Sequence, residues 1–313
     1  MLSIAISHHN EPQAFIEECI SQLKATLHIE PYEIIIIDDC SSRPLESITD
    51  TTIIRHTKNK GVGQCFDTAM AQAKYDNIFF LACDIRFLDN GWDTILLNEV
   101  LTYPTALTCT GVIGLNEAEP NGLNMIARQN HKYSGAAILI FHDSKSNPKK
   151  KPNFRGLHQS KWLPYKGGDS YEIPCILGAC YGTTKQWYQH VDGFWGHMLW
   201  GHLEPLISYK SYLFGGSCRV APKAEVGHIF KAQGTHGTAQ EALVYNQILI
   251  SKLLFDDSQR LINFLGYSPN VIKALRLLEP KLSSILQKKQ EYKQKTTLTI
   301  EEYIEKFNLN YRK

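Results

Sequence analysis

Strand-like and helix-like hydrophobic patterns alternate through the first 85 residues of the chain. Short apolar runs predict four strands, and apolar positions at helical spacing predict two helices between them. The helices cover Glu11–Leu27, with Pro12 near the start, and the segment after the glycine turn NKGVG; the strands are Leu2–Ser7, YEIIIIDD, Thr52–Arg55 and NIFFLACD. This β-α-β-β-α-β order predicts right-handed crossovers and an open α/β sheet.

Polar residues directly follow three of the predicted strands. His8 follows the first strand, Asp39 follows four consecutive isoleucines, and Asp84 ends NIFFLACD. Ligands bind at the carboxyl ends of the strands in open α/β sheets, so these side chains are expected to face one nucleotide crevice. Asp39 could instead cap the next turn.

A carboxylate and an imidazole at two predicted strand ends suggest a cation site. Asp84 is one, and His228 in EVGHIF is the other. Oxygen and nitrogen donors of this kind suit a divalent cation that bridges a diphosphate. His228 taken alone also fits a core histidine.

Composition limits the class of protein. The chain has 313 residues, of which 43% are hydrophobic, and its net charge of +2 comes from 33 basic and 31 acidic residues. This predicts a globular protein with one large core or one core plus a small appendage, and it argues against a nucleic-acid coat protein. The eight scattered cysteines show no CxxC pair, which favours reduced thiols.

Two further features concern location and domain organisation. The start of the sequence lacks a basic leader, and no window reaches the ~18 apolar residues of a spanning helix, so a cytoplasmic protein is expected. Beyond about residue 240 the pattern becomes helical throughout. We therefore expect a catalytic domain over residues 1–240 and a helical extension over residues 241–313.

Several motifs together resemble a known family. SIAISHHNEP, EIIIIDDCSS, NKGVG and IFFLACD look like the start of a family-2-type glycosyltransferase with the GT-A fold, a Rossmann-like mixed sheet flanked by helices. The later LGACYGTT, WGHLE and EVGHIF resemble the polypeptide N-acetylgalactosaminyltransferase catalytic domain. The resemblance covers about residues 1–255.

The resemblance implies a metal-dependent, hexosyltransferase-like enzyme that uses a UDP-sugar and a divalent cation, Mn²⁺ or Mg²⁺. Asp39 would contact uridine, and Asp84 and His228 would hold the cation. Residues Lys231–Gln240 would form a lid over the nucleotide. The implied nucleotide-sugar contacts are His8, Asn10, Asp39, Gly61, Asp84, Gly178, Trp200 and Gly201.

One departure from the family pattern touches the cation site. The family has an acid-x-acid or acid-x-histidine motif here. This sequence reads Asp84-Ile85-Arg86, so Arg86 stands at the position of the second ligand. Arginine cannot ligate a cation. Either Asp84 and His228 suffice, or Asp89 is recruited, or Arg86 acts in catalysis by neutralising the diphosphate as a bidentate donor.

A second departure concerns the catalytic acid. The family's WGGEN becomes WGHLE, so Leu203 stands at the glutamate position and Glu204 follows it. We expect Glu204 to deprotonate the acceptor hydroxyl in an in-line, inverting displacement. Asp84, which would hold the cation, is also expected to act in catalysis.

The segment Lys145–Lys166 suggests the acceptor. It holds seven Lys or Arg residues, three aromatic residues and no Asp or Glu. Such composition fits a polyanionic acceptor, for example hydroxymethylated DNA, although a solvated loop is as good an interpretation. A glycan, lipid or protein hydroxyl remains an alternative acceptor, and a catalytically silent nucleotide-sugar-binding protein remains an alternative function.

Overall fold

A computed structural model describes residues 1–116, 131–144, 154–230 and 239–311 of the chain. Strands and helices are interspersed up to residue 230, and helices follow. The strands are β1 Leu2–His8, β2 Tyr32–Asp38, β3 Thr52–Arg55, β4 Asn77–Ala82, β5 Ile85–Phe87, β6 Ala106–Asn116, β7 Lys132–Ser144, β8 Phe154–Pro164, β9 Tyr171–Glu172, β10 Cys180–Thr184 and β11 Ser217–Phe230.

The helices flank the sheet and then form the whole structure beyond residue 239. A short 3₁₀ turn over Glu279–Lys281 joins the eighth and ninth helices. The helices are α1 Gln13–Thr26, α2 Val62–Gln72, α3 Trp92–Thr102, α4 Lys185–His190, α5 Leu203–Leu213, α6 Gln240–Leu254, α7 Ser258–Phe264, α8 Pro269–Leu278, α9 Leu282–Lys295 and α10 Ile300–Lys306. Within the described ranges, no helix has both the length and the apolar character needed to cross a membrane.

The sheet is mixed, with strand order β3-β2-β1-β4-β10-β6-β11-β5. Strands β3, β2, β1 and β4 run parallel, whereas β10 is antiparallel to both β4 and β6. Strand β5 pairs antiparallel with β11, and β7 and β8 form a hairpin that joins the sheet through β6. Along the chain, the elements β1-α1-β2-β3-α2-β4 follow the predicted β-α-β-β-α-β order.

The isoleucine run shows why the parallel half was predictable. Ile34–Ile37 are at most 1% exposed because both faces of β2 are covered, as expected for a parallel strand inside a sheet. Helix α1 begins at Gln13 rather than Glu11, and Pro12 is its N-cap. Strand β4 ends at Ala82, so Asp84 lies in a turn rather than in the strand.

The last helices share one hydrophobic core with the sheet. Tyr245, Ile248, Ile285 and Tyr303 are almost fully buried in the same cluster as the isoleucines of β2. The expected boundary at residue 240 stays a prediction, and the core runs across it. All eight cysteines are free thiols, and seven of them are buried.

Candidate active site

A cavity of about 600 Å³ lies at the carboxyl ends of β1, β2 and β4. We divide its lining into two sets, which we call the strand-end wall and the far wall. The strand-end wall comes from the end of β1 and the loops after β1, β2 and β3, and consists of His8, His9, Glu11, Asp39, Asn59 and Gly61. The far wall comes from β8, α5, α6 and the loop before β10, and includes Gln159, Ser160, Gly178, His202, Glu204, Leu243 and Gln247.

Asp84 and His228 meet in this cavity. Strand β5 pairs with β11 so that Ile85 lies opposite His228, which brings Asp84 beside the imidazole. Asp84 Oδ1 lies 3.5 Å from His228 Nε2, and the two side chains are 16% and 17% exposed. Two atoms that ligate one cation at about 2.1 Å cannot be more than about 4.2 Å apart, so this pair fits a shared divalent ion. The carboxylate donor suits Mg²⁺ or Mn²⁺, whereas the imidazole donor suits a transition-metal ion better than Mg²⁺.

The structure does not bring Arg86 or Asp89 to this pair. Arg86 is fully buried, and its guanidinium donates to the Ile85 carbonyl at 2.8 Å and lies over the Phe15 ring. Neither Arg86 nor Asp89 lines the cavity. Asp89 Oδ1 instead lies 3.3 Å from the imidazole of His28. In this arrangement the Arg86 guanidinium bonds to its own turn, and the carboxylate of Asp89 pairs with His28.

Asp39 lines the strand-end wall and holds its loops together. Its Oδ1 accepts hydrogen bonds from the His56 ring at 2.7 Å and from the backbone N–H of Lys60 at 2.9 Å. Its Oδ2 accepts from the Gly61 N–H at 2.6 Å. The carboxylate is 3% exposed. Asp39 therefore fits both interpretations from the sequence, because it faces the cavity and also caps the following loop.

His8 and Gly61 line the cavity, whereas Asn10 lies outside it. The His8 ring donates to the Glu11 carbonyl at 2.9 Å and accepts from Ser41 Oγ at 3.2 Å. Asn10 is exposed and its Oδ1 accepts from the Ser42 N–H at 2.7 Å, so it links the loops after β1 and β2.

Gly61 brings the segment before α5 against the strand-end wall. Gly61 has φ +92°, and a Cβ atom there would lie 2.0 Å from the Leu199 carbonyl oxygen. Another residue would therefore push Leu199 and the neighbouring Trp200 away. Trp200 lines the cavity and is 47% exposed, and the Gly201 carbonyl accepts from Asn246 of α6 at 3.0 Å.

Glu204 lies in the first turn of α5 and lines the far wall. Desolvation by burial raises the pKa of its carboxyl group above the ordinary 4.5. Its Oε1 packs against Gly178 so closely that a Cβ on residue 178 would lie 2.3 Å away. Gly178 is thus the residue that makes room for the carboxylate, and the structure brings these two predicted residues together.

The sequence model of glycosyl transferase family 2 matches residues 3–159. The chain belongs to glycosyl transferase family 2. It is 22% identical over 312 residues to the mouse polypeptide N-acetylgalactosaminyltransferase 3, a match that covers 94% of this chain and 46% of the mouse protein. The human polypeptide N-acetylgalactosaminyltransferase 6 is 22% identical over 282 residues, covering 83% of this chain and 42% of that protein. The chain thus spans less than half the length of these relatives.

Solved structures confirm the GT-A fold of this family 2 member. The structure of GalNAc-T7 with UDP, GalNAc and Mn²⁺ superposes with a TM-score of 0.71 at 16% identity, covering 98% of this chain and 56% of that one. TarS of S. aureus in complex with UDP-GlcNAc superposes with a TM-score of 0.52 at 14% identity, covering 99% and 93%. The predicted fold class is therefore correct.

Sequence reasoning missed several residues of the family 2 cavity. Gln159, His202 and Gln247 line the far wall, and Gln159 Nε2 donates to His202 Nε2 at 2.9 Å. These residues belong to no motif that the sequence patterns singled out, except that His202 sits inside WGHLE. The predicted lid falls mostly on residues 231–238, which lie outside the described residues. Residues 145–153 of the segment Lys145–Lys166, which include Lys149, Lys150 and Lys151, also lie outside them.

Proposed function

We propose that this chain is a metal-dependent glycosyltransferase that moves a sugar from a UDP-sugar to an acceptor hydroxyl. The observation that carries the proposal is the meeting of Asp84 and His228, remote in sequence, 3.5 Å apart in a cavity that also holds Glu204. Membership of glycosyl transferase family 2 supports it, as do the UDP and Mn²⁺ named with GalNAc-T7 and the UDP-GlcNAc named with TarS.

The two walls suggest how a donor would lie. In an open α/β sheet the nucleoside binds at the carboxyl ends of the strands, which here form the strand-end wall around Asp39. Asp84 and His228 would hold a cation beside the diphosphate. When bound, that cation stabilises the negative charge that develops on the leaving nucleoside diphosphate. The transferred sugar and the acceptor would then face Gly178 and Glu204 on the far wall.

Glu204 has the properties of a general base. Burial raises the pKa of its carboxyl group, while its place in the first turn of α5 lets the helix dipole stabilise the ionised form. A carboxylate with a raised pKa accepts a proton more readily at neutral pH than an ordinary glutamate does. We propose that it takes the proton of the acceptor hydroxyl during an in-line displacement, which would invert the anomeric centre.

Release of UDP from a panel of UDP-sugars tests the proposal. The protein is incubated with each donor, with and without candidate acceptors, in Mn²⁺, in Mg²⁺ or with chelator. Acceptor-stimulated, metal-dependent release of UDP is the expected result. Binding of UDP-sugar without any turnover, in all combinations, would favour the catalytically silent binding protein instead. An NMR spectrum of the product then reports inversion or retention.

The acceptor class is a finer proposal. A polyanionic acceptor such as hydroxymethylated DNA is supported by the composition of Lys145–Lys166. In the described part of that segment, Trp162 lines the cavity, while Arg155 lies opposite Asp143 and Lys166 lies over the Tyr171 ring. The comparisons with known proteins lend no support to DNA.

Salt dependence tests the polyanionic acceptor. Turnover on hydroxymethylated DNA and on a neutral glycan is compared between the wild type and the variant with Lys149, Lys150 and Lys151 changed to Ala. A polyanionic acceptor predicts that the triple variant loses affinity and that its binding depends less steeply on salt. Turnover on the glycan alone, with the same salt dependence in both proteins, would contradict a polyanionic acceptor.

A further inference from the structure

The β7–β8 hairpin carries part of the far wall away from the sheet. Among the described residues, β7 pairs with β6 only at Lys132 and Tyr133, whereas β7 and β8 pair with each other as far as Ser144 and Phe154. The cavity-lining Gln159 lies opposite Leu139, well past the last contact with β6. Something other than the sheet must therefore fix this part of the hairpin.

A bend in β8 is anchored to helices α5 and α6. His158 is fully buried and has φ +54°, the left-handed region that a histidine inside a strand adopts only at a cost. Its Nε2 donates to Ser251 Oγ at 2.9 Å, and the Ser251 hydroxyl in turn donates a hydrogen bond to the Gln247 carbonyl at 2.9 Å. The Tyr209 hydroxyl donates to His158 Nδ1 at 3.2 Å. Every polar atom of the His158 ring is thus paired.

The same helix binds the residue before the bend. The backbone N–H of Leu157 donates to Gln247 Oε1 at 2.9 Å. Gln247 and Gln159 both line the cavity, so the anchor and the wall adjoin each other. Burial lowers the pKa of His158 well below its ordinary value. The ring therefore stays neutral, and this hydrogen-bond pattern holds across the physiological range of pH.

The other strand of the hairpin is held by the segment Leu309–Tyr311. Asn310 Oδ1 accepts from the Ile140 N–H at 3.0 Å, and Asn310 Nδ2 donates to the Phe141 carbonyl at 2.6 Å. One side-chain amide thus takes the place of a neighbouring strand on β7. Tyr311 donates to Asp257 Oδ2 at 2.5 Å, which ties the segment to the start of α7.

We propose that His158, Ser251 and Asn310 are positioning residues for the transfer reaction, through which the part of the chain beyond residue 239 sets the far wall of the cavity. The inference rests on the proposed glycosyltransferase function and deepens it. These three residues would touch neither the nucleotide nor the acceptor. They fix the backbone of the β7–β8 hairpin, which places Gln159 and Trp162 beside the donor sugar and the acceptor.

The physical reason is the precision that group transfer demands. A displacement of about 1 Å in a positioning element lowers turnover by about 100-fold even when it lies away from the reacting atoms. The bend at His158 is a strained conformation that persists only while its surroundings hold it. Removal of either anchor should therefore let the far wall move while the strand-end wall, built on other strands, stays in place.

Ser251→Ala and Asn310→Ala test the proposal in the 313-residue chain. Ser251→Ala removes the partner of the His158 ring without harming α6, because alanine is a good helix former. Two variants serve as matched controls. Ser284→Ala deletes a serine hydroxyl in the first turn of α9 that donates locally, to the carbonyl of the N-cap residue Lys281 at 2.8 Å. Asn308→Gly deletes the asparagine two positions before Asn310 and keeps its φ of +48° accessible.

Three quantities are measured for each variant: UDP affinity by calorimetry, kcat for transfer from a UDP-sugar, and hydrogen exchange along the chain. We expect kcat to fall by about 10- to 100-fold in each test variant, with UDP affinity changed less than about twofold. Exchange should accelerate at Leu157 in Ser251→Ala and at Ile140 in Asn310→Ala, but not in β1, β2 or β4. The controls should match the wild type.

The outcomes separate this inference from the function on which it rests. Faster exchange in the hairpin with an unchanged kcat would overturn the positioning role and leave the proposed function standing. An equal loss of UDP affinity and kcat would overturn it too, because the effect would then be general unfolding. A wild type that binds no UDP would contradict the proposed function itself, and the positioning role for transfer would fall with it.

Discussion

The two walls of the cavity are built in different ways. The strand-end wall comes from the carboxyl ends of parallel strands, and its polar groups are largely bonded to one another and to the loops beside them, as the hydrogen bonds of His9 and Asp39 show. The far wall is assembled from a bent hairpin, the first turn of α5 and one face of α6. Its carboxylate, Glu204, has a raised pKa because burial disfavours its charge.

This difference suggests a division of labour. A wall whose polar groups are mutually satisfied is a rigid surface for binding, and a carboxylate with a perturbed pKa is a candidate for chemistry. Substitutions in the strand-end wall should therefore change stability and nucleotide affinity together. Substitutions in the far wall should change turnover and leave nucleotide affinity alone.

Glu204→Gln should give the largest effect. The amide keeps the shape of the side chain but cannot accept the acceptor's proton, so kcat should fall by about 10²–10⁴-fold. UDP affinity, measured by calorimetry, should stay at the wild-type value. Turnover near that of the wild type would remove Glu204 from the chemistry and with it the contrast between the walls.

Gly178→Ala should act on the same carboxylate from the other side. The new Cβ would lie 2.3 Å from Glu204 Oε1, so the glutamate must move. We expect kcat to fall by about 10- to 100-fold with little change in UDP affinity. Gly167→Ala is the matched control, since a Cβ there would meet Tyr165 at an ordinary 3.5 Å. Equal kcat values for the two alanine variants would show that the position of Glu204 is unimportant.

Asp39→Asn should affect binding and stability together. The amide loses the charge that strengthens three hydrogen bonds in the strand-end wall, so the free energy of unfolding should drop by about 1–3 kcal/mol. UDP affinity should fall by about tenfold, because the loop that carries Gly61 loosens. Asp89→Asn, an exposed carboxylate outside the cavity, is the control. A variant with full stability but weakened UDP binding would make Asp39 a nucleotide ligand alone.

The smallest effect concerns pH and the stability cost of Glu204. Because its pKa is raised in the folded protein, the fold favours the protonated form. The wild type therefore loses stability as the pH rises above the ordinary 4.5 and on through the raised pKa. Glu204→Gln should have a higher Tm than the wild type at pH 7, and the gap should close below pH 4.5. A difference in Tm that persists at low pH would show that the ionisation of Glu204 does not cause the lower stability of the wild type.

The sequence predicted one wall better than the other for physical reasons. The parallel strands can be recognised from the local sequence, because a run such as Ile34–Ile37 must be buried on both faces. The next polar residue must then lie at the edge of the sheet. Thr52–Arg55 is a strand with the predicted bounds. The far wall gave no such signal, because Gln159 and Gln247 reach the cavity through a bend at His158 and through contacts between distant elements.

The motif resemblance found some of what local patterns could not. It placed Gly178, Glu204 and His228 in one site before any geometry was known, and the structure brings all three to one cavity. It left three alternatives open at the cation site, and a motif position does not reveal that the Arg86 guanidinium contacts the carbonyl of Ile85 and the ring of Phe15. The order of residues in a turn fixes spacing, whereas packing decides direction.

UDP binding with and without Mn²⁺ in the wild type, Asp84→Asn, His228→Ala and the double variant tests the central claim most directly. If both side chains hold one ion beside the diphosphate, Mn²⁺ should strengthen UDP binding in the wild type. Each single variant should lose most of that gain, and the double variant should lose little more, because ligands of one ion are not additive. Losses that add, or UDP binding that ignores Mn²⁺, would contradict a shared cation site at Asp84 and His228.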